Sequence, residues 1–111
     1  MPRDYLLYIE DIRKAIEKIE NYTLHLTYDE FCLDALRIDA VLLNLEVIGE
    51  AAKKLPEEIK EKSNEIEWRK ISSLRGIIVH DYFDVSLEII WDIIQNKIPE
   101  LHKVINRLLQ E

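Results

Sequence analysis

Apolar residues recur at three- and four-residue steps along nearly the whole chain, which is the period of helices packed on one side. Leu6, Ile9, Ile12, Ile16 and Ile19 make one stripe and predict a first helix over about Arg3–Tyr22, with Asp4, Glu10, Asp11, Lys14, Glu17, Lys18 and Glu20 mostly on its solvated faces. After a polar break across Asn21–Leu26, Thr27 and Glu30 form a capping-box pair. The spacing then predicts a long helix to about Leu55, where Pro56 stops it. That helix carries two apolar stripes: Leu33, Leu36, Ala40, Leu43 and Val47 form one, and Ala35, Ile38, Leu42, Leu45, Gly49 and Ala52 the other. A helix apolar on two sides is central in its bundle or shared with a second subunit. Gly49, in its interior, costs about 1 kcal/mol relative to Ala. The close approach of another backbone would explain it, which raises a dimer.

Pro56-Glu57-Glu58 opens a short charged helix to about Lys62, Ser63–Glu67 connect, and Trp68 begins a further helix with Trp68, Ile71, Leu74 and Ile78 on its core face. Trp68 reads as a core anchor rather than a base-stacking platform. Arg69 and Lys70 are surface charges or the lip of a positive cleft. The segment DYFDVS reads as a helix exit. Ser86 is a plausible N-cap for a last helical region, Leu87 to about Gln110, which Pro99 is expected to kink or break after Ile98. No stretch reads as a strand. The pattern predicts an all-α, up-and-down bundle.

With 111 residues the chain is expected to be one domain with a modest core, and two Gly, three Pro and no Ser/Gly-rich run leave no linker. The 15 Lys plus Arg against 22 Asp plus Glu give a net charge of -7. That weighs against a general nucleic-acid binder, which shows a basic footprint, but leaves room for a small, locally positive RNA cleft. The single cysteine, Cys32, excludes an internal disulfide and reads as a buried, inert thiol, in keeping with a reducing cytoplasm. The N-terminus has acids too early for a signal peptide, and no uncharged run approaches the roughly 18 residues of a membrane span. A cytoplasmic protein without membrane contact is expected. His25 and His102 lack the spacing of a metal-ligand set and read as surface residues, so no metal site is expected. There is no Gly-rich phosphate loop, CxxC pair, serine-nucleophile turn or internal repeat.

The chemistry concentrates in Leu74–Phe83, LRGIIVHDYF. Hydrogen-bonding side chains in and beside so apolar a run cost stability unless each has a partner or a task. Arg75 is permanently charged and suited to gripping a phosphate; His80 can exchange protons near neutral pH. Together they suggest phosphate chemistry. At about 100° per residue, Arg75 and Tyr82 share one side of a continuous helix while His80 lies roughly 140° from Arg75. Either the helix ends or distorts near His80, or a second copy completes the site. Glu46 and Glu50, one turn apart on the preceding long helix with Asp39 and Lys53 on the same side, are an ordinary solvated strip or else orient His80 or Arg75 from a facing helix.

These residues, with NLEVIGEAAKKLPEE, WRKISSLRGIIVHDYF and SLEIIWDIIQNKIPEL, closely resemble the HepT-like branch of the HEPN superfamily over about Asp4–Leu109. Arg75, His80 and Tyr82 match its signature of Arg, four residues, His, one residue, Tyr. The resemblance implies a four- or five-helix bundle that dimerises so that two signature motifs meet in a cleft. It also implies a metal-independent ribonuclease, the toxin of a toxin–antitoxin pair, whose minimal nucleotidyltransferase antitoxin adds AMP to the signature tyrosine, here Tyr82. The residue after the signature Arg is often polar in the superfamily; here it is Gly76, which puts activity in question or shifts a supporting role to Asp81. On this reading Arg75 holds the scissile phosphate, His80 is the general acid or base, and Tyr82 helps bind RNA. Two other readings compete: a non-catalytic helical subunit that positions a nucleotidyltransferase, and a structural dimer in which Arg75 is buried and pairs with Asp81 or a Glu.

Overall fold

The computed structural model describes residues 4–80 and 84–111, and for 77–80 the backbone alone. The first helix, α1 (Tyr5–Thr23), is capped by Asp4, whose carboxylate accepts the Leu6 N–H at 3.0 Å. It buries Ile9, Ile12, Ala15, Ile16 and Ile19, while Leu6 at the start of its stripe stays exposed. On its outer side Arg13 bridges Glu10 and Glu17, each at 2.7 Å.

The long helix expected from Thr27 to Leu55 is instead two. The capping box forms as anticipated, Thr27 accepting from Glu30 N–H and Glu30 returning to Thr27 N–H, but the helix it opens, α2 (Tyr28–Cys32), lasts barely more than one turn. Asp34 ends it. Its carboxylate accepts the Arg37 N–H at 3.0 Å and starts a new helix, α3 (Ala35–Lys53). An aspartate that caps offers the backbone an alternative to continuing the helix, and periodicity does not register that competition. Arg37 adds a 2.7 Å ion pair to Asp34 and donates through Nε to the Tyr22 carbonyl, fastening the joint to the end of α1. The break leaves Phe31 fully buried, its ring 5.2 Å from that of Trp91, and Cys32 half-buried.

Beyond Pro56, α4 (Glu57–Lys62) leads through a turn to α5 (Trp68–His80). Trp68 is a core anchor: it is buried and its indole N–H donates to the carbonyl and hydroxyl of Ser63, both at 3.1 Å. Ser86 caps α6 (Leu87–Asp92), accepting the Ile89 N–H. The kink or break expected at Pro99 takes the form of a local distortion rather than an end of the helical run. The backbone widens into a π turn over Ile93–Lys97, with the Ile98 N–H reaching the Ile93 carbonyl, and continues as α7 (Ile98–Gln110). Proline clashes with the carbonyl four residues before it, and a wider turn relieves that clash without ending the helix.

The result is an all-α bundle. Helix α3 packs against α1 and α5, and α7 packs against the free flank of α1. Ile9, Ile12, Leu45, Ile48, Leu101 and Ile105 are fully buried at its centre. His102, expected at the surface, is half-buried with Nδ1 3.1 Å from Glu20, tying α7 to α1. Arg107 clasps Glu65 through two bonds of 2.7 and 2.9 Å. Among the described residues no helix is long and apolar enough to cross a membrane.

The two stripes of α3 meet different fates. From the second, Leu42, Leu45, Gly49 and Ala52 are buried, joined by Val41 and Ile48, although Ala35 is exposed and Ile38 half-buried. From the first, Leu36 and Leu43 are 80% and 60% exposed, Val47 is exposed, and Leu33 in the joint before α3 is 88% exposed. Gly49 does meet another backbone, but that backbone is α5 of the same chain: a Cβ there would lie 2.8 Å from the Arg75 nitrogen and 3.2 Å from the Ile71 carbonyl oxygen. The glycine is thereby explained within one chain and no longer argues for a dimer.

Candidate functional site

Arg75 lies in α5 where its backbone closely approaches α3 at Gly49. Gly49 makes this approach possible, and the next residue of α3, Glu50, reaches the Arg75 side chain: Oε2 sits 2.8 Å from Nε. Both side chains remain a little under half exposed, at 43% and 45%. The facing oxygen itself is sealed from solvent and accepts no hydrogen bond among the described residues, because the Nε–H does not point at it. The pair is held by charge at short range rather than by an aligned hydrogen bond. Lys54, just past α3, approaches Glu50 at 3.9 Å and lies over the Tyr8 ring, so charge and aromatic contacts run from α1 across α3 to α5.

Glu46, one turn before Glu50, is half-buried; Asp39 and Lys53 on the same helix are exposed. The backbone of α5 is unbroken from Arg75 to His80, so the helix does not distort between them. Positions 75 and 80 therefore stand about 140° apart around one axis. The side chain of His80, and Asp81 and Tyr82 altogether, lie outside the described residues. Gly76 stands open, with nothing within 4 Å of where a Cβ would be. Glu50 is thus the carboxylate that pairs with Arg75 within this chain.

Of the two readings of Arg69 and Lys70, surface charge fits better than the lip of a positive cleft. Arg69 borders an open cleft of about 500 Å³ with Lys53 and Lys60, but Glu57 and Glu61 share that cleft and nearly balance the charge. Lys70 is paired with Glu67 at 3.0 Å, which holds the Glu67 carboxyl below the usual carboxylate range, first through their hydrogen bond and then through the charge itself. On the opposite flank, Ile66, Ile71, Leu74, Ile93 and Leu101 line an apolar cleft of about 240 Å³ between α5 and the π turn. Among the described residues, no three His, Cys, Asp or Glu side chains gather as a metal-ligand set. Sequence reasoning had missed Lys54. Its i,i+4 spacing from Glu50 was the available signal.

The profile of the ribonuclease HepT-like family matches residues 12–108. The chain belongs to this family. Relatives within reach include a Methanocaldococcus jannaschii protein named as a gamma-glutamylcyclotransferase and candidate RNase, 38% identical over the whole of this chain but only 50% of its own length. A Caldanaerobacter subterraneus protein named as a candidate RNase is 36% identical over 99% of this chain and 96% of its own length. A Thermococcus cleftensis protein named "Probable ribonuclease HepT" is 38% identical over 91% of this chain and 92% of its own. The chain thus spans half the length of the first of these HepT-like relatives and nearly all of the others. No solved structure matches it with significance.

Proposed function

We propose that this HepT-like chain is a metal-independent endoribonuclease acting as a homodimer. In this proposal it is the cytoplasmic toxin of a toxin–antitoxin pair whose antitoxin is a minimal nucleotidyltransferase. One observation carries the reading: the half-exposed side chain of Arg75 stands five residues before a histidine on one helix, beside an uncovered apolar stripe on its neighbour. Leu36, Ala40, Leu43, Val47 and Glu50 fall within about 80° of one another around α3, along roughly 21 Å of its length. The stripe therefore leads directly to the Arg75 contact. A second copy covering that stripe brings its own Arg75 and His80 to the same groove, which answers the 140° separation that a single helix imposes.

RNA carries its own nucleophile. The 2′-oxygen attacks the adjacent phosphorus, the bond from phosphorus to the 5′-oxygen breaks, and a 2′,3′-cyclic phosphate and a 5′-hydroxyl result. One His80 takes the proton from the 2′-hydroxyl and the other delivers a proton to the leaving 5′-oxygen. Arg75 stabilises the charge that builds on the phosphoryl oxygens. Asp81 and Glu46 are the supporting carboxylates. In neutralisation, the Tyr82 hydroxyl attacks the α-phosphorus of ATP bound to the antitoxin and pyrophosphate departs. The attached AMP adds bulk and negative charge where RNA would lie.

The test incubates purified protein with defined RNA in the presence of a chelator and looks for 2′,3′-cyclic phosphate ends. His80→Ala is expected to lower the rate by about 10²–10⁴ with circular dichroism unchanged; cleavage at the native rate would remove His80 from the mechanism. Mass spectrometry after co-expression with the nucleotidyltransferase should find AMP on Tyr82. The net charge of -7 and Gly76 leave room for one rival, a non-catalytic subunit that positions the nucleotidyltransferase. Native protein that is harmless on expression and leaves RNA intact would select that rival.

A further inference from the structure

We infer that Glu50 is a positioning residue for Arg75, holding the guanidinium in the orientation in which it meets a phosphate. The catalytic half of this inference rests on the ribonuclease reading; the structural half does not. Successive residues of α3 act on one residue of α5: the missing side chain of Gly49 admits the Arg75 backbone, and the Glu50 carboxylate holds its side chain at 2.8 Å. Stability alone does not account for the pair, since half-exposed ion pairs contribute little. The sealed carboxylate oxygen even forgoes a hydrogen bond among the described residues, with only the guanidinium charge to compensate it.

The arrangement suits anion capture. A guanidinium carries five N–H donors, no more than two of which one oxygen can occupy, so donors remain for a phosphodiester. Arginine is also among the side chains with the most rotamer freedom to lose. Restraining it before RNA arrives removes that cost from the binding and transition-state steps. Glu46 lies one turn before Glu50 on α3, and Lys54, just past its end, is 3.9 Å from Glu50. Lys54 approaches the other oxygen of the same carboxylate, Oε1, so Glu50 is shared between two cations.

Two measurements test this on the full chain. The first is the ¹⁵N relaxation of the Arg75 Nε–H group, which needs no activity. It should report an ordered group in the native protein and a mobile one in Glu50→Gln, with Glu50→Asp between them. Equal mobility in native protein and Glu50→Gln overturns the inference whether or not the protein cleaves RNA. The second is cleavage kinetics: Glu50→Gln should lower kcat about 10- to 100-fold with a smaller change in KM, and Glu50→Asp should recover part of the loss. A faster Glu50→Gln enzyme would mean that the carboxylate masks Arg75, and unchanged kinetics with a lower melting temperature would mean that it serves the fold alone; either result overturns the inference. An ordered Arg75 in a native protein that cleaves nothing would sustain the positioning and defeat the ribonuclease reading.

Discussion

Substituting Ala at the two glycines should shift stability in opposite directions, although both lie inside helices. At Gly49 the added methyl would stand 2.8 Å from the Arg75 nitrogen, 3.2 Å from the Ile71 oxygen and 3.3 Å from the Ser72 oxygen. All three are backbone atoms of α5, which cannot rotate aside as a side-chain tip would. Restoring an ordinary 3.4 Å contact to the nearest of them moves α5 by about 0.6 Å relative to α3. Overpacking of this kind costs about 1–3 kcal/mol, while Ala in place of Gly returns about 1 kcal/mol of helix propensity. Because the clash is with rigid atoms, the upper part of that range applies and a net loss of about 1–2 kcal/mol is expected for Gly49→Ala. At roughly 4 °C per kcal/mol for a chain of this size, the melting temperature should fall by about 4–8 °C. At Gly76 nothing lies within 4 Å of the new methyl, so Gly76→Ala should gain about 0.5–1 kcal/mol and melt about 2–4 °C higher. Differential scanning calorimetry of the two variants beside the native chain decides the matter. If both melt higher by similar amounts, α3 and α5 do not approach as closely as described, and the seat proposed for Arg75 goes with them.

Leu43→Asp, on the exposed stripe of α3, should leave the fold intact, because Leu43 is 60% exposed. Analytical ultracentrifugation should show it shifting a homodimer toward monomer; a variant as dimeric as the native chain would place the interface elsewhere. The Glu65 carboxyl is pulled down to about 2, chiefly by its hydrogen bonds from Arg107. A carboxyl depressed in the folded state stabilises it above its unfolded value near 4.5 and loses that contribution as pH falls toward about 2. Glu65→Gln should therefore melt slightly lower than the native chain at pH 7, with the gap closing between about pH 4.5 and pH 2. A gap that widened on acidification would contradict the assignment.

The helices were legible in the chain because burial repeats with the helical period: the cores of α1 and α7, the Thr27–Glu30 box, the Ser86 cap and the Trp68 anchor follow from local pattern. The resemblance of Arg75, His80 and Tyr82 to a known signature led to the right family for the same reason, since residue type and spacing are properties of the chain itself. Three features were not legible. The division of the long helix at Asp34 turned on whether a capping aspartate prevails over a periodic run, which depended on Arg37 finding the end of α1. The π turn before Pro99 is one of several ways to accommodate a proline, and residue spacing does not choose among them. Gly49 signalled a close neighbour without saying whose backbone it was. Periodicity gives the angle of a residue around its own helix, but which helix lies opposite is settled only when α1, α3, α5 and α7 bury their faces together. That is why the apolar stripes and the signature could be read from order and spacing alone, whereas the meeting of Glu50 with Arg75, and the exposure of Leu36 and Leu43, were decided by tertiary packing.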